Sequence, residues 1–442
     1  MISLTTRTLR LFYKSQNPNF RRKDSLFSTT CSRFHAENNK VLFGWGDLGS
    51  LYSENTINKN ERGDDIYMFK TPKILEIEQI VGSELSNSIE KEKLKVAKIS
   101  AGWGHSLIAF KRGEKNFVFS MGLNNSGQLG HGKIAKKGYH KGLVKGLPEN
   151  QEINMLACGR LHSFVLTSNN ATTKTELYGF GDCMYGQLGT GKDKKNSPLP
   201  IMAVACEPLP RHIDTFAEHE SVKQVTCGLD HTVILTNENR LYSMGWGADG
   251  QLGLGNDSTT DKSVPSAITK PLNKDGHQER IRKIVSSTDF TMVLLENGTL
   301  WTWGNSEYGQ CMSGAKVDRI LEPMQVPTKD RIVDVASGGL GDSHIERLTP
   351  ARIPYFGEKQ ESKEKVGENI VAIFCGLDYA AAISESRNLY TWGFDGTLGL
   401  LGHESYHIKH QFIPKKVEFP EPVNVETLAC GGRNVLALCS PR

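Results

Sequence analysis

The sequence predicts an all-β protein, a seven-bladed β-propeller, and three observations lead to this fold. The chain has 442 residues, of which 44 are glycine, about a tenth against a usual share of roughly 7%. Two short phrases alternate along most of the chain, and the phrase that one terminus lacks is present at the other. Apolar residues make up 38% and charged residues 23%, which excludes wholesale disorder. No apolar run approaches the ~20 residues of a membrane helix.

The first phrase is an apolar pair, a small residue, glycine, two variable residues, histidine and a hydroxyl residue. It is complete at residues 99–106, 156–163 and 225–232. Weaker copies occupy residues 285–291, 374–379 and 429–434, and a half copy stands at 335–339. Such a recurrence predicts a repeat architecture, in which each unit buries its faces against its neighbours.

The second phrase is an aromatic strand that ends in glycine, about 18 residues after the first. Its copies end at Gly122, Gly181, Gly245, Gly304 and Gly393. A Gly-Gln-Leu-Gly turn follows three of them, at residues 127–130, 186–189 and 250–253. Each unit therefore offers about four short strands with glycine at the corners, which is what a propeller blade requires.

The two ends of the chain together make one unit. Val41–Gly46 is an aromatic-glycine strand with no first phrase before it, and Leu428–Leu438 is a first phrase with no aromatic strand after it. A blade shared by the termini would remove the free edges of an open sheet. We therefore expect one propeller domain over residues 37–442. Its repeats start near residues 41, 96, 153, 222, 281, 332, 370 and 423.

One blade, at about residues 335–357, is expected to be truncated. The repeat glycine positions are separated by 57, 69, 59, 51, 38 and 55 residues, and the interval of 38 begins at Gly338. Alignment with the other units leaves about 24 residues missing there, which correspond to the histidine strand and the aromatic strand. A splice or gene-model variant and a natural degenerate blade are both compatible with this spacing. Either predicts a gapped ring.

Residues 1–36 indicate a targeting sequence. They hold seven basic residues and one acid, Asp24, so the remaining chain has 46 basic and 48 acidic residues and is nearly neutral. An amphipathic, arginine-rich, acid-poor leader is typical of a mitochondrial transit peptide. An undirected basic tail, or a nuclear signal in Arg21–Lys23, is the alternative. The near-neutral remainder does not support DNA binding or general polyanion binding by the whole surface.

The two phrases resemble the repeats of the regulator of chromosome condensation family, over about residues 41–440. With the leader, the chain is most similar to the mitochondrial member of that family. The resemblance implies a monomeric, non-catalytic scaffold in mitochondrial ribosome biogenesis, acting with large-subunit rRNA and assembly factors. It also implies guanine-nucleotide exchange on a dynamin-like GTPase of mitochondrial fusion, in the matrix or peripherally at the inner membrane. An exchange-only regulator and an enzyme inhibitor or substrate adaptor are the alternatives.

Candidate GTPase-facing residues lie just before the histidine position of the repeat. That position holds Asp230, Asp289 and Asp378 in three units and Arg433 in another. Rigid loops that bear carboxylates suit a basic protein surface. In the family that the chain resembles, aspartate and histidine at such loops meet the GTPase, and Asp230 with His231 is the best match. Solvated turn aspartates are the alternative.

The repeat histidines and glycines favour a structural role. His105 and His162 follow Gly102 and Gly159 by three residues, and Gly228 takes the same place in the next unit. Recurrence in different blades would keep these imidazoles apart, so a bond to a nearby carbonyl is favoured over a shared ligand or partner site. Four of the nine cysteines directly precede the repeat glycine, which favours packing over a zinc site or a disulfide. They are Cys158, Cys227, Cys375 and Cys430.

A basic loop at residues 131–147 is a candidate RNA contact. It carries five lysines and no acid: Lys133, Lys136, Lys137, Lys141 and Lys145. Lysine contacts add affinity for phosphate without reading sequence, and a solvated basic loop is equally compatible. The sequence contains no recognisable metal or cofactor motif and no activated nucleophile or acid–base pair, so we expect neither a cofactor nor catalysis.

Overall fold

The computed structural model describes ten longer stretches of the chain and several short ones. These are residues 40–49, 51, 58–59, 65–66, 68–81, 94–169, 172, 174–192, 206–214, 216, 220–272, 279–339, 348–350, 353, 355–356, 368–395, 398–404 and 410–442. The predicted leader at residues 1–36 lies outside them, so its targeting role stays a prediction. In the described part of the chain, no helix is long and apolar enough to cross a membrane.

Short strands dominate this part of the chain, as the glycine-cornered phrases predict. In chain order they are β1 (Val41–Asp47), β2 (Asn58–Lys59), β3 (Asp65–Ile66), β4 (Met68–Ile74), β5 (Lys95–Ala101), β6 (His105–Arg112), β7 (Lys115–Asn124), β8 (Ala135–Leu143), β9 (Glu152–Cys158), β10 (His162–Ser168), β11 (Thr175–Asp182), β12 (Cys206–Ile213), β13 (Val222–Cys227), β14 (His231–Thr236), β15 (Leu241–Gly245), β16 (Lys262–Ala267), β17 (Ile281–Ser286), β18 (Phe290–Leu295), β19 (Leu300–Asn305), β20 (Arg319–Gln325), β21 (Ile370–Cys375), β22 (Tyr379–Ser384), β23 (Leu389–Phe394), β24 (His410–Lys416), β25 (Val423–Cys430) and β26 (Asn434–Pro441). A helix, α1 (Ile77–Val81), and a 3-10 helix at Gly255–Thr259 complete the described elements.

The long strands form six four-stranded antiparallel sheets, the blades, within the described residues, and β2 and β3 form a separate ribbon. We number the blades in chain order. The second to sixth blades are β5–β8, β9–β12, β13–β16, β17–β20 and β21–β24. First strands of successive blades contact one another, β5 with β9 and β9 with β13. The first strand of each blade is therefore the innermost one, and the all-β propeller prediction is confirmed.

The first blade is shared between the two ends of the described chain, as the sequence predicts. Its strand order is β25-β26-β1-β4. The pairing of β1 with β26 places Val41 opposite Cys439 and Trp45 opposite Val435. Closure of this kind pairs a strand from near the N-terminus with the C-terminal strands and leaves no free edge between them.

The prediction of seven blades is wrong, because the described residues form six complete sheets. Between the fifth and sixth blades the structure describes only residues 326–339, 348–350, 353, 355–356 and 368–369, and these described residues form no four-stranded sheet. We call this region the incomplete sector and define it by residues 335–339, 353 and 355–356.

The incomplete sector joins the cores of its two neighbours. Val335 belongs to the buried cluster of the fifth blade, with Phe290 and Met292, and Ala336 belongs to that of the sixth, with Trp392. Gly339 donates its N–H to the carbonyl of Leu377 at 2.6 Å. These contacts connect the fifth blade to the sixth across the truncated unit.

The Gly-x-x-His spacing reflects a steric constraint. The imidazoles of His105, His162 and His231 each pack against the repeat glycine of their own blade. A Cβ on Gly228 would come within 2.1 Å of Cε1 of His231, and one on Gly159 within 2.2 Å of Cε1 of His162. No real Cβ tolerates such contacts, so only glycine leaves room for the ring.

The histidines link each blade to the next through buried hydrogen bonds. Nε2 of His105 lies 2.8 Å from Oγ of Ser163, and the hydroxyl of Ser163 donates to the carbonyl of Gln128 at 2.9 Å. Because the single hydroxyl proton is used there, Ser163 accepts from Nε2–H of His105, which fixes the neutral tautomer.

The same arrangement recurs at the next two interfaces. Nε2 of His162 meets Thr232, 3.2 Å away, and Nε2 of His231 meets Thr291, 3.1 Å away. Burial lowers the pKa of His105 to about 4. It likewise lowers the pKa of His162 and of His231 to about 3 each. All three rings are therefore neutral at physiological pH.

We predict that His231→Asn flattens the pH dependence of folding stability. The buried ring with a pKa of about 3 cannot accept the proton that an unfolded histidine takes up near pH 6.5. The parent therefore loses stability as pH falls below about 6.5. Between pH 7.5 and pH 5 the stability of the variant should gain about 2 kcal/mol relative to the parent, measured by urea unfolding.

Asn434 already takes the histidine position in the first blade, where its Oδ1 accepts from Ser106 at 3.1 Å, so the substitution suits the site. Thr291→Val is the matched control, because it removes the partner of His231 and keeps the titrating ring. It should cost stability similarly at both pH values. An unchanged pH slope in His231→Asn would contradict the prediction.

Candidate functional site

The loops after the first and the third strand of each blade lie on one face, which we call the upper face. The same backbone hydrogen bond joins the two loops in each of the six blades. The residue after the strand-end glycine donates its N–H to the carbonyl of the residue before the histidine position, at 2.7–2.9 Å. The pairs are Asp47–Arg433, Leu123–Gly104, Asp182–Leu161, Trp246–Asp230, Asn305–Asp289 and Phe394–Asp378.

Glycine at the strand end makes this junction possible. Gly181 and Gly245 have φ values of 106° and 103°, in a region that side chains rarely adopt. A Cβ on Gly245 would lie 2.4 Å from the carbonyl oxygen of Asp230. The aromatic-glycine phrase and the first phrase therefore meet at the upper face, and both contribute side chains to it.

The central feature of this face is an ion pair between Arg160 and Asp230 of neighbouring blades. The guanidinium binds the carboxylate in bidentate fashion, through Nε to Oδ1 at 3.1 Å and through Nη2 to Oδ2. Asp230 is buried, with 6% of its surface exposed. Burial raises the pKa of Asp230 more than the guanidinium lowers it. This carboxylate is therefore poorly solvated, and Arg160 is its charge partner.

Three further carboxylates, those of Asp182, Asp249 and Asp289, lie near this pair. Burial, followed by the nearby Asp249 and Asp230, raises the pKa of Asp289 to about 7. Burial also raises the pKa of Asp182 to about 6, and Asp230 adds to the effect. We call Asp182, Asp230, Asp249 and Asp289 the acidic patch. Its carboxylates would gain solvation or charge partners by binding a cation.

An aromatic pair borders the acidic patch. The rings of Tyr185 and Trp246 have centroids 4.5 Å apart. Trp246 follows the strand-end glycine of the fourth blade and donates its backbone N–H to Asp230. The loops thus place apolar, partly exposed rings beside desolvated carboxylates, a combination that suits a protein partner with basic and apolar groups.

Asp378 lies apart from the other predicted aspartates. It belongs to the sixth blade, across the incomplete sector, and its carbonyl accepts from Phe394 N–H. The electrostatic neighbours of Asp289 are Asp249, Asp230 and Arg160 and do not include Asp378. The structure therefore brings Asp230 and Asp289 together and leaves Asp378 outside the acidic patch.

His231 and Arg433 are occupied within the fold. His231 is fully buried and bound to Thr291, so its ring is inaccessible in this conformation. Arg433 pairs with Asp47, Nη2 to Oδ2 at 2.7 Å, and also donates to the hydroxyl of Tyr139 at 3.1 Å. Tyr139 in turn donates to Asp47. This clasp links the first blade to the outer strand of the second.

The five lysines predicted to contact RNA differ in whether their side chains are available to a phosphate. Lys133, Lys141 and Lys145 are exposed, but the ammonium group of Lys141 is already used, because it donates to the carbonyl of Gln79 in α1. Burial lowers the pKa of Lys141. Lys136 and Lys137 lie in the backbone of β8, and their side chains are outside the described part. Two of the five lysines are thus seen to be available to a phosphate.

The repeat cysteines line an axial cavity of about 280 Å³. Cys158, Cys227, Cys375 and Cys430 border it together with repeat glycines. Burial raises the pKa of Cys158 and of Cys430 to about 12, so these groups are neutral thiols. Among the described residues, no group of three or more His, Cys, Asp or Glu side chains is arranged to hold a metal ion.

The sequence analysis missed Arg160, Asp182 and Asp47, which complete these charge clusters. A usable signal existed, because Asp47 and Asp182 both follow a strand-end glycine. Arg160 occupies one of the two variable positions of the first phrase. The pairing of Arg160 with Asp230 spans 70 residues and depends on how neighbouring blades pack, which repeat spacing does not encode.

We predict that Arg160→Met destabilises the fold in a pH-dependent way. The substitution leaves the buried carboxylate of Asp230 without its cation, at a cost of about 1–2 kcal/mol at pH 8, reduced from that of a fully buried pair because Arg160 is partly exposed. At pH 5 the cost should shrink, because burial raises the pKa of Asp230 and loss of the guanidinium, which lowers that pKa, raises it further, so less uncompensated charge remains at the lower pH. Urea unfolding at both pH values measures the difference.

The double variant Arg160→Met with Asp230→Asn serves as the control for that prediction. Removing the charge together with its partner should restore most of the stability that Arg160→Met loses at pH 8. Equal losses at pH 8 and pH 5, or no recovery in the double variant, would contradict the interpretation that Arg160 compensates the buried charge.

The chain resembles known proteins in both sequence and fold. Curated mouse and human proteins named RCC1-like G exchanging factor-like protein are each 29% identical over 383 residues, covering 78% of this chain and 76% of the relative. The crystal structure of human WBSCR16 superimposes with a TM-score of 0.70 at 24% identity, covering 91% of this chain and 100% of that one. At that identity the likeness concerns the fold.

Sequence models of the repeat match most of the units found above. The regulator of chromosome condensation (RCC1) repeat matches residues 115–166, 176–235, 238–294, 297–340 and 388–438. A second model of the same repeat matches residues 96–128, 222–251 and 281–310. These matches cover more than half of the chain, so the protein belongs to the regulator of chromosome condensation (RCC1) repeat family.

Proposed function

We propose that the protein is a guanine-nucleotide exchange factor that binds a mitochondrial dynamin-like GTPase through its upper face. The observation that carries the proposal is the acidic patch, where Asp230 and Asp289 are held on adjacent rigid loops in a poorly solvated setting. The names of the mouse and human relatives support the exchange activity. The identity of the GTPase and the mitochondrial location rest on the sequence resemblance and the basic leader.

The acidic patch suits this function because burial makes its carboxyl groups costly to ionise. A basic group of a partner would lower that cost. A lysine or arginine of the GTPase that approached Asp289 would stabilise its ionised form. The loops do not need to reorder, since backbone hydrogen bonds already hold them to the strand ends. Preorganised loops lose little entropy on binding, and carboxylates beside a nucleotide site would disfavour its phosphates.

We predict that GTPase binding tightens as pH rises from 6 to 8. Asp289, with a pKa of about 7, is mostly protonated at pH 6 and must release that proton to pair with a cation. The affinity should therefore rise about tenfold over this range. Asp289→Asn should abolish the rise and slow GDP release. The measurement uses the GTPase that copurifies from mitochondria with the tagged chain, loaded with a fluorescent GDP analogue.

Glu114→Gln is the matched control, because Glu114 is exposed on the turn between β6 and β7, at the opposite face. It should leave both affinity and GDP release unchanged. Binding without acceleration of GDP release would favour an inhibitor or adaptor over an exchange factor. A flat pH profile in the parent protein would remove Asp289 from the interface.

A role in mitochondrial ribosome biogenesis, through large-subunit rRNA and assembly factors, is the second candidate. The exposed side chains of Lys133 and Lys145, one at each end of the outer strand β8, favour it. Phosphate contacts of this kind are independent of sequence and weaken with salt.

We predict that Lys133→Glu combined with Lys145→Glu lowers the level of large ribosomal subunits and leaves GDP release unchanged. Charge reversal replaces two attractive phosphate contacts with repulsive ones. Sucrose-gradient profiles of mitochondrial ribosomes measure the effect. Lys329→Glu, at an exposed site on the loop after β20, is the control. Normal subunit levels in the double variant would support an exchange-only regulator.

A further inference from the structure

An exposed tryptophan lies on the upper face, beside the axis of the ring. Trp103 occupies the first variable position of the first phrase in the second blade, and 40% of its surface is exposed. The other large apolar residues that are exposed in the described part of the chain lie elsewhere, five of them in or next to outer strands and Val371 in an inner strand. Single exposed apolar side chains are ordinary, so the surroundings of Trp103 decide its role.

The two neighbouring blades hold this indole in place. The backbone N–H of Trp103 donates to the carbonyl of Gly159 in the third blade at 3.2 Å, and Gly432 of the first blade donates to the carbonyl of Gly102 at 3.0 Å. A Cβ on Gly432 would lie 2.7 Å from Cδ1 of Trp103, so the ring packs directly on the backbone of the first blade. An aromatic ring fixed in this way loses little conformational entropy when a partner covers it.

The charged groups on either side of the indole already have partners within the chain. Arg160 of the third blade pairs with Asp230, and Arg433 of the first blade pairs with Asp47 at 2.7 Å. A phosphate group would have to compete with these carboxylates for the guanidinium groups. The surroundings of Trp103 therefore favour an apolar side chain of a protein over a nucleic acid.

The axial cavity provides space for such a side chain next to the indole. Trp103, Arg160, Leu229 and Leu377 lie in the loops after the first strands of four blades, and all four border this cavity of about 280 Å³. Leu229 and Leu377 are partly exposed. Because Leu229 directly precedes Asp230, the apolar rim of the cavity is continuous with the acidic patch. A protein bound to the acidic patch can therefore reach the indole with the same surface.

We propose that Trp103 anchors the GTPase on the upper face, an inference that rests on the proposed exchange function. An apolar side chain of the GTPase packs on the indole at the mouth of the axial cavity, while a basic side chain pairs with Asp289. The indole has no charge with which to repel nucleotide phosphates, so it contributes to affinity and leaves nucleotide release to the carboxylates. Tryptophan is enriched among the few residues that carry most of the binding energy of an interface.

The test compares the parent chain with Trp103→Ala and uses the GTPase that copurifies from mitochondria, loaded with a fluorescent GDP analogue. We expect the affinity to fall at least about tenfold, whereas the rate of GDP release at a saturating concentration of the chain should stay at the parental value. Trp103→Phe keeps an apolar ring and should recover most of the affinity. The blue shift of tryptophan emission on binding should be smaller in Trp103→Phe than in the parent.

Phe412→Ala is the matched control, because Phe412 is 51% exposed in the outer strand β24, away from the axis. It should change the affinity for the GTPase less than twofold. Urea unfolding of both alanine variants should show that they fold. If Trp103→Ala does not fold, the affinity and the emission shift of Trp103→Phe decide the question.

The outcomes separate this proposal from the exchange function. Equal affinity of Trp103→Ala and the parent would overturn the anchor and leave the exchange function standing. A loss of affinity in Trp103→Ala, with no acceleration of GDP release by the parent, would support the anchor and refute exchange. Failure of any GTPase to copurify would overturn both. Weakened binding of a single-stranded oligoribonucleotide in place of the GTPase, or a parental dimer that Trp103→Ala dissociates, would assign the indole to RNA or to a second copy and overturn the proposal.

Discussion

The structure depends on one buried hydrogen-bond relay between blades, from histidine to hydroxyl to turn carbonyl. His105 reaches Ser163, and Ser163 reaches Gln128, and all three residues are fully buried. Such a relay requires a neutral imidazole in one tautomer, a hydroxyl in the next blade, and a glycine under the ring. These three requirements explain why glycine, histidine and a hydroxyl residue recur together in the first phrase of the sequence. Blades that lack neighbours could not satisfy them, so ring closure and blade folding are coupled.

The rigidity of this relay explains how the upper face can hold carboxylates that are costly to ionise. In each of the six blades, the residue after the strand-end glycine donates a backbone hydrogen bond to the carbonyl of the residue before the histidine position. Loops fixed in this manner cannot move Asp230 or Asp289 into solvent to relieve their desolvation. The raised pKa values are therefore a property of the scaffold, and the surface is prepared for a cationic partner before it binds one.

The incomplete sector shows the same relay where it is interrupted. Phe290 takes the place of the histidine in the fifth blade, and Nε1 of Trp392 in the sixth blade has no hydrogen-bond partner. Buried apolar residues still span the sector, since Val335 and Ala336 join the neighbouring cores. Apolar contacts need no fixed direction and can adapt to missing strands, whereas hydrogen bonds cannot.

The sequence alone determined the strands, their glycine corners, the sharing of a blade by β25, β26, β1 and β4, and the loops that reach the upper face. These features follow from local periodicity and steric demands that each repeat carries within itself. Only the tertiary structure decided that six sheets are complete and that Arg160 pairs with the buried carboxylate of Asp230. It also decided that Arg433 binds Tyr139 and Asp47. The last contact joins residues 386 positions apart. Such partners are chosen by the packing of whole blades, and no single repeat contains the information for it.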